Sequence, residues 1–176
     1  MNTLIKLAIF FLIIYYIGIF TPWWKLIITD VHGVKTIYSL MVYSWKNDEA
    51  GKIPSEIRLR VVRVPPNFLY ACIASSIPII LYIIAGSKKN IPMLNFVLCF
   101  SSGLSSFITL GLFVAYWNKT IKKLTDLNTT GSYIFQNYAV KTSWELGILL
   151  SFIGSFLFIF VSFSHFFMWL IPKKSK

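Results

Sequence analysis

Four apolar stretches, each close to the length a helix needs to cross a bilayer, decide what this chain can fold into. A hydrocarbon core roughly 30 Å thick takes about 20 helical residues. The stretches cover about residues 4–20, 67–85, 93–117 and 144–171. Lys6 is the one charge in the first, and its long stem lets the ammonium reach the near interface. Pro78 sits in the second, where a kink is expected. Of 176 residues, 56% are apolar and only 13% charged, too few to clothe a water-facing surface. We therefore read residues 1–176 as a single four-span membrane domain, mainly α, built as a four-helix transmembrane bundle. A cleaved signal peptide is the alternative for the first stretch, but bulky Ile19, Phe20 and Trp23 stand where a cleavage site wants small residues.

The net charge of +11 does not imply nucleic acid, because the 17 Lys and Arg residues lie in the loops and at the ends of the apolar runs. Such residues contact solvent and lipid headgroups. The two cysteines, Cys72 and Cys99, both fall within apolar stretches and read as small buried hydrophobes rather than a disulfide framework. Four spans put both termini on one side. Loops one (about 21–66) and three (about 118–141) hold eleven basic residues against six elsewhere. By density the order reverses, since Lys88, Lys89, Lys173, Lys174 and Lys176 crowd into short segments, so the positive-inside rule alone is balanced. Two glycosylation sequons, at Asn118 and Asn128, both lie in loop three. These features favour cytosolic termini, loops one and three outside, and a multi-pass plasma-membrane protein.

Loop one is not featureless. Residues 24–29 and 34–45 are rich in β-branched and aromatic types, separated by the turn signal Asp30-Val31-His32-Gly33. Further on, Ile57-Arg58-Leu59-Arg60-Val61 alternates apolar and basic residues at strand period. The expectation is a small extracellular antiparallel β-sheet formed by loop one. Loop three, about 118–141, reads as intermediate in length and polar. At its end, Thr142 followed by Glu145 reads as a capping box opening the fourth span.

The order of elements resembles the claudin and peripheral-myelin-protein superfamily of four-span proteins, and several short motifs carry the likeness. Thr21-Pro22-Trp23-Trp24-Lys25-Leu26 resembles the segment in which a proline and a tryptophan open the family's first extracellular strand. Residues 38–45 resemble the stretch with the family's Gly-Leu-Trp motif, Trp45 standing for its tryptophan and Tyr43-Ser44 replacing Gly-Leu. Arg63 resembles the arginine that closes the sheet before the second span. Ala115-Tyr116-Trp117-Asn118, Tyr133-Ile134-Phe135 and Lys141-Thr142-Ser143-Trp144 are similar to family segments around loop three. The family's pair of loop-one cysteines is absent here, so the resemblance implies a sheet held by packing of Trp24 and Trp45. Ion pairs between Asp48 or Glu49 and Arg58 or Arg60 would add little, since exposed pairs contribute about 0–1 kcal/mol where a disulfide contributes about 2–4.

No paired carboxylates, nucleophile elbow or phosphate loop is present, and we expect no catalytic residue, no cofactor and no small-molecule substrate. His32 and His165 have no Cys, Asp or Glu at ligand spacing, so no metal site is expected. Small residues repeat at helical spacing in two spans, Ser101-Ser105-Thr109 and Gly147-Ser151-Ser155, and read as helix-packing ladders. Lys173 and Lys174 resemble a di-lysine retrieval signal, which makes the endoplasmic reticulum the alternative location; as a basic collar they would instead touch anionic lipid. The resemblance implies a non-enzymatic role through contacts with membrane lipids and with another integral membrane protein, as an auxiliary subunit, or with copies of itself, as an adhesion or barrier protein.

Overall fold

The computed structural model describes residues 3–40, 52–53, 67–86, 91–125, 132–135 and 138–171. Its elements in order are α1 (Thr3–Phe20), β1 (Trp24–Thr29), β2 (Lys35–Leu40), α2 (Asn67–Gly86), α3 (Pro92–Thr125), β3 (Ser132–Phe135), β4 (Tyr138–Trp144) and α4 (Leu146–Leu170). All four helices are long and apolar enough to cross a membrane. They are apolar all round, as lipid requires: Phe10, Ile13 and Ile17 face outward from α1 while Ile5, Ala8, Phe11, Tyr15 and Ile19 are buried. On α3 the buried residues include Asn95, Cys99, Ser102, Ser106, Leu110, Phe113 and Trp117, a seam advancing by threes and fours along one face. The helices alternate in direction. α4 packs on both α1 and α3, and α2 closes the bundle against α3 and, more lightly, α1.

The α1–α4 seam is made by small residues. A methyl group on Gly18 would stand 2.5 Å from the Ser151 backbone nitrogen, and one on Gly154 would stand 2.7 Å from Tyr15 Cβ. Gly147, Ser151 and Ser155 are buried on this side of α4. Close backbone approach lets membrane helices associate without a hydrophobic drive. On α3 the buried hydroxyls are Ser102 and Ser106, one position on from the ladder read from the sequence. Ser101 and Thr109 instead turn their hydroxyls back to the carbonyls of Leu98 and Ser105.

Mid-bundle, those hydroxyls meet α1 and α2. Tyr15 Oη donates to the Cys72 carbonyl at 3.1 Å and lies 3.0 Å from Ser75 Oγ. Ser106 Oγ donates to Ser75 Oγ at 2.9 Å, and Ser102 Oγ donates to the Ser75 carbonyl at 2.7 Å. Tyr16 Oη and Ser76 Oγ pair at 2.7 Å. Pro78, inside α2, has no N–H and crowds the preceding turn. Hydroxyls from α3 hydrogen-bond the Ser75 carbonyl in that turn. Replacing Ser75 with Ala removes the hydroxyl that both Ser106 and Tyr15 meet, in the buried middle of the bundle. The expected cost is about 1–2 kcal/mol, read as a lower unfolding midpoint in mixed micelles; Ser164→Ala, whose hydroxyl is exposed, serves as the unchanged reference.

The sheet departs from the sequence reading in its membership. It has four strands in the order β2-β1-β4-β3, all antiparallel, so half of it comes from the third connection rather than all from loop one. β1 pairs with β2 on one side (Leu26 opposite Tyr38) and with β4 on the other (Trp24 opposite Trp144, Ile28 opposite Val140). The cause is visible in residues 138–144, where Tyr, Val, Thr and Trp alternate with Ala, Lys and Ser, a strand period diluted by polar side chains. β1 and β2 reverse through Asp30–Gly33: Asp30 Oδ1 accepts from the N–H groups of His32 and Val34, both at 2.9 Å, and Gly33 takes a φ of 77°, open to glycine without strain. The proposed strand at 57–61 and the pairs of Asp48 or Glu49 with Arg58 or Arg60 lie outside the described residues.

The capping box is also corrected. Thr142 belongs to β4, and α4 begins at Leu146 with Glu145 as an extended N-cap whose side chain makes no capping hydrogen bond. Its carboxylate goes to Lys25 of β1, and the helix start is held by backbone instead. Gly147 N–H donates to the Pro22 carbonyl at 3.0 Å and Glu145 N–H to the Trp23 carbonyl at 2.9 Å.

Candidate interaction surface

The inner face of the sheet is seated on the bundle by aromatic rings. Trp24 is fully buried and meets Trp117 edge-on at 4.9 Å between centroids, while Trp23 meets Phe113 edge-on at 4.7 Å. Phe68 at the start of α2 reaches Phe113 at 5.2 Å. Edge-on pairs at such distances add about 0.5–1.5 kcal/mol each beyond their burial. Trp23 Nε1 donates to the Gly18 carbonyl at 2.8 Å and Trp23 N–H to the Leu40 carbonyl at 2.9 Å. One residue thus ties the last turn of α1 to the end of β2. Sequence reading singled out Trp24 and passed over Trp23, although a second adjacent tryptophan at a span exit is itself a signal. Tyr38 of β2 is buried and donates to the Lys52 carbonyl at 3.0 Å, beside buried Ile53, so a piece of loop one also covers the inner face.

The outer face has a different character. Its register sets Ile37 opposite Ile27, which in turn stands opposite Lys141. Ile37 is 57% exposed, and Val31 and Val34 at the hairpin tip are 66% and 59% exposed. Lys35 and Lys141 are exposed at its margins. Exposed apolar side chains grouped on one hairpin and flanked by lysines make this hairpin the candidate contact surface. Lys25, also on this face, reaches Glu145 at 2.6 Å. About a third of each side chain stays in contact with solvent, so the pair positions β1 against the start of α4 more than it stabilises the fold.

The remaining sequence-derived residues are placed as follows. Asn118 is exposed within α3, which continues past it to Thr125; its sequon begins in the last residues of the candidate span, Pro92–Lys119, rather than in the loop that was expected. Trp45, Arg63, Asn128, Lys173 and Lys174 lie outside the described residues. Cys72 and Cys99 are both buried and free. Among the described residues, no three His, Cys, Asp or Glu side chains converge. His165 is buried and lies 2.9 Å from Tyr82 Oη, towards the end of the bundle away from the sheet. A search of known proteins finds no family model, no curated protein and no solved structure that matches this chain.

Proposed function

We propose that the chain is a claudin-like, non-enzymatic membrane protein that acts through protein–protein contacts, as an auxiliary subunit or assembly partner of a membrane complex. In this reading the termini are cytosolic and the sheet stands outside the plasma membrane. The observation that carries it is the exposed apolar side of the β1–β2 hairpin, Ile37 on the strand and Val31 and Val34 at the tip, on a scaffold tied by Trp23 and Trp24 to α1, α3 and the start of α4. A rigid platform loses little conformational freedom on binding, so its exposed apolar side chains can contribute to affinity. The likeness to claudins rests on the Pro22-Trp23-Trp24 entry into β1 and on strands at two of the three family-like segments around loop three, Tyr133-Ile134-Phe135 and Lys141-Thr142-Ser143-Trp144.

Self-assembly through the same face is the second reading, and the charges weigh against it. An isologous contact would set the lysine-bearing margins of two copies, Lys35 and Lys141, against each other, and like charges at an interface are unfavourable. A partner with an acidic rim around an apolar centre suits the face better. Gentle solubilisation followed by mass analysis of what co-purifies tests this. A stoichiometric foreign membrane protein is the expected result, and homo-oligomers alone would favour the adhesion reading. Ile37→Asp, a change on an exposed position, is expected to weaken the association about tenfold or more, the effect of losing 1.4 kcal/mol at a contact residue, without changing thermal stability. A partner retained equally by that variant would remove the sheet face from the interface.

A further inference from the structure

A groove of about 640 Å³ runs down from the sheet onto the outside of the bundle, lined by Lys25, Val114, Trp144, Glu145, Leu146, Ile148, Leu149 and Phe152. Its size falls in the roughly 300–1,000 Å³ range of small-molecule sites. Its chemistry is graded along its length. At the upper end stands the Lys25–Glu145 ion pair with Trp144 beside it; below, the walls are wholly apolar. The change occurs at the start of α4, since the apolar span begins at Leu146. If the four helices cross a bilayer, the ion pair stands at headgroup level and the lower groove faces acyl chains.

We propose that this groove binds one zwitterionic phospholipid, with the phosphate on Lys25, the ammonium against Glu145 and the ring of Trp144, and an acyl chain along Val114, Leu149 and Phe152. The charge pattern selects this class. Lys25 and Glu145 sum to zero, so a ligand that brings one negative and one positive group a short distance apart extends the pair into an alternating row and leaves no charge unmatched. An anionic lipid satisfies Lys25 but places uncompensated charge beside Glu145. Trp144 is 38% exposed, leaving its ring open to an alkylated ammonium, which aromatic faces bind. Leu149 is 55% exposed in the apolar span of α4, so with that span in a bilayer an acyl chain is its natural cover. The ion pair is only part-buried, which leaves both groups accessible to a second partner.

Native mass spectrometry of the full chain in mild detergent, with phosphatidylcholine and phosphatidylglycerol of identical acyl chains added in equal amounts, tests the proposal. One phosphatidylcholine is expected to stay bound, about tenfold over phosphatidylglycerol, a ratio equal to ~1.4 kcal/mol. Glu145→Gln leaves Lys25 as the only charge and is expected to bring the ratio to one or invert it. Leu149→Trp fills the lower groove from a lipid-exposed position and is expected to lower retention of both lipids while the unfolding midpoint holds. Equal retention of the two lipids by the unaltered protein overturns the proposal. So does retention that survives Leu149→Trp unchanged, or a headgroup ratio indifferent to Glu145→Gln. Neither variant alters Ile37 or the hairpin tip, so loss of lipid selectivity and loss of a protein partner are separate results.

Discussion

Replacing Trp24 with Ala lowers the stability of the fold by about 3–5 kcal/mol, the range for truncating a buried tryptophan, and loosens the sheet from the helices beneath it. Trp24 has no exposed surface, and its ring lies edge-on against Trp117, itself stacked on Phe113 at 6.1 Å. Removing the ring therefore opens a void where β1, β4 and α3 meet, and neighbouring aromatics that already contact one another cannot all move into it. Trp144, directly opposite Trp24 in the ladder and 38% exposed, is the matched control, and Trp144→Ala is expected to cost less than half as much. Unfolding midpoints of both variants in detergent, with tryptophan fluorescence and protease sensitivity of the hairpin, make the comparison. Equal midpoints for Trp24→Ala and the unaltered protein would mean that the sheet is held elsewhere.

What could be read in advance divides along the range of the forces involved. The four spans were legible because each is a local run of apolar residues whose length is set by the bilayer, and no distant partner is needed to see it. The β1–β2 hairpin was legible for the same reason: Asp30 and Gly33 supply the turn chemistry within the segment itself. The end of loop three was misread because its strand identity depends on a partner more than a hundred positions away. Opposite β1, Val140, Thr142 and Trp144 form an inner row; alone, they look like a polar linker ending in a capping box. Thr142 and Glu145 have the right spacing for a cap, but β4 takes Thr142, and Lys25 takes the carboxylate of Glu145. The serines of α3 show a subtler limit. Ser101 and Ser105 share helical spacing with Ser102 and Ser106, and only the placement of Tyr15 and Ser75 on neighbouring helices decides which pair is buried. A doublet of hydroxyls halfway along a span is a sign that some polar partner exists, without saying where. The candidate surface was half legible: Trp24 through its position at the span exit, the outward-facing Ile37 only once the register was known.

Gly18→Val separates α1 from α4 and is expected to cost about 3 kcal/mol, the upper part of the range for overpacking a dense core. The reason is what the new atoms meet. A Cβ at Gly18 falls 2.5 Å from the Ser151 nitrogen and 2.8 Å from the Gly147 carbonyl oxygen, and backbone atoms cannot rotate aside as a side chain would. The same holds one turn nearer the sheet, where a Cβ on Gly147 would be 2.5 Å from the Thr21 carbonyl. The only relief is to shift one helix, which also strains the Trp23 bond to Gly18 and the Gly147 bond to Pro22 that together hold the start of α4 under the sheet. Gly111 gives the opposite sign in the same fold. Nothing lies within 4 Å of a Cβ placed there, so Gly111→Ala meets no neighbour and removes the flexibility penalty of a mid-helix glycine, a gain of about 0.5–1 kcal/mol. Unfolding midpoints measured side by side in the same detergent should therefore move in opposite directions for the two glycines. A Gly18→Val variant as stable as Gly111→Ala would show that α1 and α4 do not meet backbone to backbone, and the seating of the sheet above them would need a different foundation.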